Sequence, residues 1–234
     1  MLRLAKNGGR TEEHLFYIKH WQCPVCARRK PPGPVARSSA RARPEQFNVL
    51  VGVDLKEVRD SEGQRHVYLN ILDIATRYSC LVRLETKQSY EVSQAFIDYW
   101  ISWAGCPESV LMDQGGEFEG EFQAVLTRFG IGPRVIATEA PWQNGMVERH
   151  GGVLGEILSL MVDQCQLRGP EDMAAGGHMA ASSKNRRPDR TGHSARARVF
   201  GTTERMPGSV IDAIQDGEKE PRRDRSSTED RKHR

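Results

Sequence analysis

Three acidic residues have types and spacing that could do chemistry: Asp54, Asp113 and Glu148, with 58 and then 34 residues between them. Asp54 ends the apolar run 47–54 and Asp113 ends the run 109–113, which predicts a carboxylate at the end of each of two buried strands. Glu148 lies on a stretch with helical periodicity. Mg²⁺ and Mn²⁺ prefer carboxylate oxygens, and two such ions about 4 Å apart need several anions around them. The three acids therefore predict a two-metal site for phosphoryl transfer.

The elements that must position these acids follow from hydrophobic periodicity. Strands are predicted at 47–54, 66–74, 79–85, 109–112 and 133–137, and helices at 89–103, 116–129 and 144–164. A helical crossover would return the fourth strand parallel to the first and beside it, so Asp54 and Asp113 would be neighbours. On the last helix Val147, Leu154 and Leu158 would pack on the sheet, and Glu148 would lie beside that stripe.

One helical face of the segment 89–103 carries six apolar residues spaced three and four apart. This spacing predicts that all six are core residues rather than a platform for stacking bases. They are Val92, Ala95, Phe96, Tyr99, Trp100 and Trp103.

Four segments around the acids resemble the catalytic core of retroviral and retrotransposon integrases, the DDE transferases of long-terminal-repeat elements. They read VGVD at 51–54, NILDIATRY at 70–78, MDQGGEF at 112–118 and PWQNGMVER at 141–149. The order and spacing of the segments match as well as their content. One departure is the second spacer, which has 34 residues where the family usually has 35. Either the missing residue falls in the loop before Glu148, where a deletion is tolerated, or it shifts the register of the last helix, which would rotate Glu148 by about 100°.

The resemblance implies an α/β fold of the ribonuclease H-like type, a five-stranded mixed sheet with helices on both faces, flanked here by basic flexible arms. It implies an integrase, a polynucleotidyl transferase and endonuclease whose Mg²⁺ or Mn²⁺ ions bind Asp54, Asp113 and Glu148 and support DNA 3′-end processing and strand transfer. DNA, as element ends and target duplex, would be its partner. It would form a homo-oligomer and act in the nucleus after import from the cytoplasm. Two alternatives stay open: an inactive retroelement remnant that binds nucleic acid, and a nuclease of the same fold.

Further residues take roles from the same resemblance. Gln143 and Asn144 correspond to loop residues that place a DNA end, and Arg149 could contact a phosphate. An equally weighted alternative makes Asn144 the N-cap of the last helix. Asp73 also ends a strand, but the resemblance implies a structural role in which it binds backbone groups and Arg77.

Charge and composition divide the chain into five parts. Residues 1–44 hold ten Lys/Arg against two Asp/Glu, residues 45–183 hold ten against twenty, and residues 184–234 hold fourteen against nine. Basic arms of this kind favour contact with DNA phosphates. The predicted parts are a partial zinc-knuckle-like segment at 1–30, a Pro-rich linker at 31–44, the catalytic core at 45–165, a post-core segment at 166–210 and a disordered charged tail at 211–234. No run of 18 apolar residues and no apolar signal core are present, which predicts a soluble intracellular protein without a membrane partner.

The pair Cys23 and Cys26 has the spacing of half a zinc knuckle. It resembles the final Cys-x-x-Cys of the His-His-Cys-Cys domain found before integrase cores, although His14 and His20 lie closer to the cysteines than the family histidines do. Either the two histidines complete a compact Zn²⁺ site, or the segment is a truncated remnant with free cysteines. The five cysteines predict no disulfide framework.

Small residues are unusually frequent in the last part of the chain. Gly151, Gly152 and Gly155 crowd one predicted helix, at a cost of roughly 1 kcal/mol each relative to alanine. The segment 173–181 is poor in large apolar residues. These features favour the interpretation of a fragmentary or decaying retroelement copy.

Overall fold

The computed structural model describes residues 11–20, 44–136 and 145–202. Its strands are β1 (Leu50–Arg59), β2 (Arg65–Asp73), β3 (Ser79–Leu84), β4 (Ser109–Met112) and β5 (Gly132–Val135). Its helices are α1 (Glu12–His20), α2 (Ser89–Phe96), α3 (Ser102–Ala104), α4 (Glu121–Arg128), α5 (Gly145–Cys165), α6 (Gly169–Arg186) and α7 (Ala195–Phe200). A π-helical turn, Ile97–Ile101, joins α2 to α3, and a 3₁₀ turn, Gly116–Phe118, precedes α4. Within these ranges no helix is both long and apolar enough to cross a membrane.

The five strands form one mixed sheet in the order β3-β2-β1-β4-β5. Strands β1, β2 and β3 are an antiparallel meander, while β4 lies parallel to β1 and β5 lies parallel to β4. Helices pack on both faces. The predicted fold class, an α/β ribonuclease H-like arrangement with a five-stranded mixed sheet, is therefore confirmed.

Alternation along β1 separates the two layers of the core. Val51 and Val53 point to the face covered by α2 and α4, in a cluster that includes Phe96. Gly52, between them, and Val58, further along, lie on the opposite face, which α5 and α6 cover. Successive strand residues face opposite sides of a sheet, so Gly52, Asp54 and Lys56 all lie under α5.

The helical segment after β3 differs from the prediction at two aromatic residues. Trp100 is fully buried and its Nε1 donates a hydrogen bond to Asn48 Oδ1 at 2.9 Å. Tyr99 is 43% exposed and Trp103 is 39% exposed, so the prediction that both are core residues was wrong. The π-helical turn is the cause, because its wider spacing rotates the residues after Phe96 relative to α-helical periodicity.

Small residues let α6 lie close to the meander. A Cβ atom built on Gly176 would lie 2.8 Å from a methyl carbon of Leu167. One built on Gly177 would lie 2.9 Å from Tyr68 Cε1 and 3.1 Å from the carbonyl oxygen of Leu81. Tyr68 Oη donates a hydrogen bond to the carbonyl oxygen of Met173 at 2.9 Å. The close packing of α6 against the meander thus requires small residues in this segment.

The C-terminal end of α6 is hydrogen-bonded to the start of β3. Asn185 Oδ1 accepts from the amide of Ser79 at 2.9 Å, and Asn185 Nδ2 donates to the carbonyl of Ser79 at 2.8 Å. The ammonium of Lys184 donates to the carbonyl of Arg77 at 2.8 Å and to Ser79 Oγ at 2.7 Å. Burial lowers the pKa of Lys184 to about 7.

A buried polar cluster joins the β1–β2 hairpin to the α5–α6 connection. Asp60 Oδ2 accepts from His66 Nε2 at 3.0 Å and from the amide of Gly169 at 3.1 Å. Arg83 Nε donates to His66 Nδ1 at 3.2 Å, so the imidazole proton lies on Nε2. The hydrogen bond from His66, helped by the backbone amides, lowers the pKa of Asp60 to about 2.

Candidate active site

Asp54 lies on β1, and Asp113 directly follows the neighbouring parallel strand β4. Strand β1 pairs with β4 through Leu50 with Ser109 and Gly52 with Leu111. Continued by two residues, the same register places Asp54 opposite Asp113. Adjacent strands lie about 4.8 Å apart, so the two aspartates are neighbours across the sheet. The prediction that Asp54 ends its strand was wrong, because the pairing with β2 continues β1 to Arg59.

Helix α5 packs over this part of β1 with its first turns. A Cβ atom built on Gly52 would lie 2.3 Å from Val147 Cγ2, and one built on Gly151 would lie 2.6 Å from Lys56 Cε. Asp54 lies between Gly52 and Lys56 on the same face of β1, and it therefore faces the helical turn between Val147 and Gly151. That turn carries Glu148. The fold thus brings all three acids to one region.

The Asp54 carboxylate is buried beside a lysine. Asp54 is 8% exposed, and its Oδ2 lies 2.8 Å from Lys56 Nζ as an ion pair. The same oxygen is buried and accepts no well-aligned hydrogen bond. Sequence reasoning missed Lys56, although its position gave a signal, because residues two apart on a strand point to the same face.

A buried amide supports the site from β2. Asn70 is the antiparallel partner of Asp54 and has no exposed surface. Its Nδ2 donates to the carbonyl of Val147 at 3.4 Å, and its Oδ1 has no hydrogen-bond partner among the described residues. This amide attaches the first turn of α5 to the strand that pairs with Asp54.

The other two acids are accessible from outside. Asp113 and Glu148 are both exposed. Asp113 Oδ1 accepts a hydrogen bond from the amide of Gly115 at 3.1 Å, which closes a tight turn after β4. A Cβ atom on Gly115 would lie 2.8 Å from both carboxylate oxygens of Glu117, so a further acid lies against this turn.

One donor suits a hard divalent cation, because the buried carboxylate oxygen of Asp54 accepts no aligned hydrogen bond. In the part of the chain that the structure describes, however, no three His, Cys, Asp or Glu side chains are close enough to hold one ion. The backbone therefore brings Asp54, Asp113 and Glu148 together, while their carboxylates do not converge, and the cation 2.8 Å from Asp54 is Lys56.

Asp73 is structural, as predicted. It is fully buried, its Oδ1 accepts from the amide of Asn48 at 2.9 Å, and its Oδ2 accepts from the amide and the hydroxyl of Thr76 at 2.7 and 2.6 Å. The expected partner Arg77 contributes only its backbone amide, at 2.9 Å from the Asp73 carbonyl. The Arg77 side chain lies 3.8 Å from Asp189 instead.

The remaining predicted site residues are only partly described. Arg149 is exposed on α5, one residue after Glu148. His14 and His20 lie on α1, where their Nδ1 atoms contact Thr11 Oγ1 at 3.0 Å and the carbonyl of Phe16 at 2.8 Å. Four predicted site residues lie outside the described ranges: Cys23, Cys26, Gln143 and Asn144.

The fold is similar to solved retroviral integrase structures. A simian T-cell lymphotropic virus intasome in complex with the PP2A regulatory subunit B56 gamma matches with a TM-score of 0.61 and 17% identity, over 88% of this chain and 76% of that chain. The HTLV-2 integrase catalytic core domain in complex with magnesium, in its trimeric form, matches with a TM-score of 0.54 and 19% identity, over 64% of this chain and 94% of that chain. The BIV integrase catalytic core domain matches with a TM-score of 0.54 and 14% identity, over 74% of this chain and 99% of that chain.

No protein-family model matches the sequence, and no curated protein matches it significantly. At these identities the likeness is one of fold. Within that fold the chain presents the sheet order, the helices on both faces, and the neighbouring positions of Asp54 and Asp113. The described part of the chain has the fold of a retroviral integrase catalytic core.

Proposed function

We propose that this protein is the integrase of a long-terminal-repeat retroelement, which processes DNA 3′ ends and joins them to a target duplex. The proposal is supported most by the pairing of β1 with β4, whose register runs from Gly52 and Leu111 toward Asp54 and Asp113, with the first turn of α5 packed over Gly52. A ribonuclease H-like sheet can carry several activities, so the argument rests on these acids rather than on the fold.

In the proposed reaction Asp54, Asp113 and Glu148 would hold Mg²⁺ or Mn²⁺. When bound, such ions supply an activated oxygen nucleophile and offset the charge on the leaving oxygen. The HTLV-2 core was solved in complex with magnesium, which supports this choice of ion. Within the chain, the buried carboxylate of Asp54 would fix the position of the site, and the exposed Asp113 and Glu148 would admit the DNA phosphate.

DNA would be bound by groups around these three acids and by the basic arms. Arg149 is exposed beside Glu148, where its guanidinium could pair with a phosphate. Gln143 and Asn144 immediately precede α5 and would place the DNA end. The ten Lys/Arg of residues 1–44 would add contacts that do not depend on sequence, and Cys23 and Cys26 would bind Zn²⁺ within that part.

A homo-oligomer working in the nucleus completes the proposal. Tyr99, Trp103 and Phe200 are each about 40% exposed, and Trp103 packs against Phe200 with ring centroids 5.6 Å apart. Exposed aromatic residues of this kind are enriched in protein interfaces. The relatives in fold were solved as a dimer, a trimer and an intasome. The proposed division of the chain is a zinc-knuckle-like segment at 1–30, a linker at 31–44, the catalytic core at 45–165, a post-core segment at 166–210 and a charged tail at 211–234.

One observation favours a second candidate, a catalytically inactive retroelement remnant that binds nucleic acid. The cation beside Asp54 is the ammonium of Lys56, and a lysine held there would keep a metal ion away. In this case the chain would bind DNA but neither cut nor join it.

The test is strand transfer by the full chain on a duplex carrying the terminal repeat of the element, with Mg²⁺ or Mn²⁺. We expect Asp54→Asn, Asp113→Asn and Glu148→Gln each to abolish cleavage and joining while the fold is retained, because each removes one anionic ligand. Circular dichroism and thermal melting report the fold. The matched control is Glu156→Gln, a carboxylate on the same helix, which should leave activity unchanged.

Two outcomes would contradict the proposal. If wild type binds the duplex but neither cuts nor joins it with either ion, the inactive remnant is the better description. If Glu148→Gln is as active as Glu156→Gln, then Glu148 is not a ligand, and the shortened second spacer has moved the helix out of register.

A further inference from the structure

We infer that Lys56 is an internal counter-cation of the proposed metal site, which pairs with Asp54 in the metal-free protein and has to leave before a divalent ion binds. The inference rests on the proposed function, since it concerns the same acids. It assigns to Lys56 control over metal affinity, a role distinct from those of the three acids.

The contacts of Lys56 carry this inference. Its Nζ lies 2.8 Å from Asp54 Oδ2, where the Asp54 side chain is 11% exposed and that of Lys56 is 29% exposed. The same Asp54 oxygen accepts no aligned hydrogen bond, so the lysine is the positive group that offsets its charge. An ammonium and a divalent ion cannot both occupy the space beside one buried oxygen, because their charges repel at such distances.

Helix α5 contains the space that this lysine needs. A Cβ atom on Gly151 would lie 2.6 Å from Lys56 Cε and 3.1 Å from Asn70 Nδ2. Cβ atoms on Gly152 and Gly155, on the same helix, would meet nothing within 4 Å. Gly151 therefore makes room for the end of the Lys56 side chain under the helix, which its two neighbouring glycines do not.

This arrangement provides two independent ways to remove the lysine from Asp54. Lys56→Met keeps the length of the side chain and deletes its charge. Gly151→Ala keeps the charge but puts a methyl group where Lys56 Cε lies, and the flexible end of the lysine is the group that can move. The matched controls are Gly152→Ala on the same helix and Lys87→Met, which removes an exposed lysine paired with Glu57.

The experiment measures Mn²⁺ binding to the full-length protein by the electron paramagnetic resonance signal of free Mn²⁺, and needs no activity. We expect Lys56→Met and Gly151→Ala to bind Mn²⁺ on the order of tenfold more tightly than wild type, since a half-buried ion pair no longer competes. Gly152→Ala and Lys87→Met should bind as wild type does.

The outcomes separate this inference from the proposed function. If wild type binds Mn²⁺ and both test variants bind it equally or more weakly, Lys56 does not compete and the inference is wrong, while the proposed function stands. If only the test variants bind Mn²⁺, the inference holds and the wild-type chain is the inactive remnant. If none of the proteins binds Mn²⁺ at millimolar concentration, the metal site and the inference both fail.

Discussion

Adding one methyl group at Gly52 should lift the start of α5 from the sheet. In Gly52→Ala the new Cβ would lie 2.3 Å from Val147 Cγ2, whereas carbon atoms in contact lie about 3.5–4.0 Å apart. The first turn of the helix would have to move by roughly 1 Å or more to restore contact distance. Val147 is fully buried in a close-packed cluster, so its side chain cannot simply turn away.

The magnitude follows from packing energetics. Overfilling a close-packed site costs about 1–3 kcal/mol of unfolding free energy. Val147→Ala alone should cost about 2 kcal/mol, because it removes two buried methyl groups and leaves a cavity. In the double variant the methyl group added at position 52 enters the space that Cγ2 vacates, so adding Gly52→Ala to Val147→Ala should cost less than about 0.5 kcal/mol. The two changes should therefore be coupled by at least about 0.5 kcal/mol.

The assay is urea denaturation of wild type, both single variants and the double variant. Gly152→Ala is the control, and it should be neutral or stabilising because its Cβ meets nothing within 4 Å. Gly52→Ala should lose strand-transfer activity even under conditions where the protein remains folded, because a small displacement of α5 moves Glu148. Additive free energies in the four proteins would refute the close approach of Gly52 to Val147.

Two pH-dependent predictions follow from the buried ionisable groups. Because the folded pKa of Asp60 is about 2, below its usual 3.8, the stability of wild type should fall as pH decreases from about 4 to about 2; in Asp60→Asn this component should be missing from denaturation curves measured across that range. If the difference in unfolding free energy between the two proteins does not change with pH, the His66 hydrogen bond does not lower the pKa of Asp60. The folded pKa of Lys184 is about 7, below its usual 10.5, so the unfolded chain binds more protons between those values. The stability of wild type relative to Lys184→Met should therefore rise from about pH 7 to about pH 9, and a falling difference would contradict the buried position of the ammonium.

The sequence predicted those features that depend on periodicity along one element. Short apolar runs located all five strands, and the crossover rule correctly made β4 a parallel neighbour of β1. The predicted helix 116–129 is instead a 3₁₀ turn followed by α4, because Gly120 takes a φ of +56° between them. A single residue with a left-handed backbone leaves no trace in hydrophobic spacing.

Contacts between elements were harder to predict. The ion pair of Lys56 with Asp54 depends on which face of β1 lies under α5 and on the space at Gly151, and neither is a property of a local segment. Glycines in α5 and α6 suggested decay when they were scored by helix propensity. Gly151, Gly176 and Gly177 prove to lie where a Cβ would collide with a neighbour, whereas Gly152 and Gly155 carry the propensity cost without such a contact.

The hydrogen bonds between Asn185 and Ser79 have a consequence for how the protein avoids aggregation. Strand β3 is the last strand on its side of the sheet, and an open edge of this kind can pair with a strand of another molecule. The Asn185 amide takes up the N–H and C=O of the first residue of that strand, as a neighbouring strand would. A chain shortened to end at residue 165 would lose this cover, together with the packing of α6 on Tyr68 and Leu81. The helix after the predicted core thus acts as a cap on the edge of the sheet.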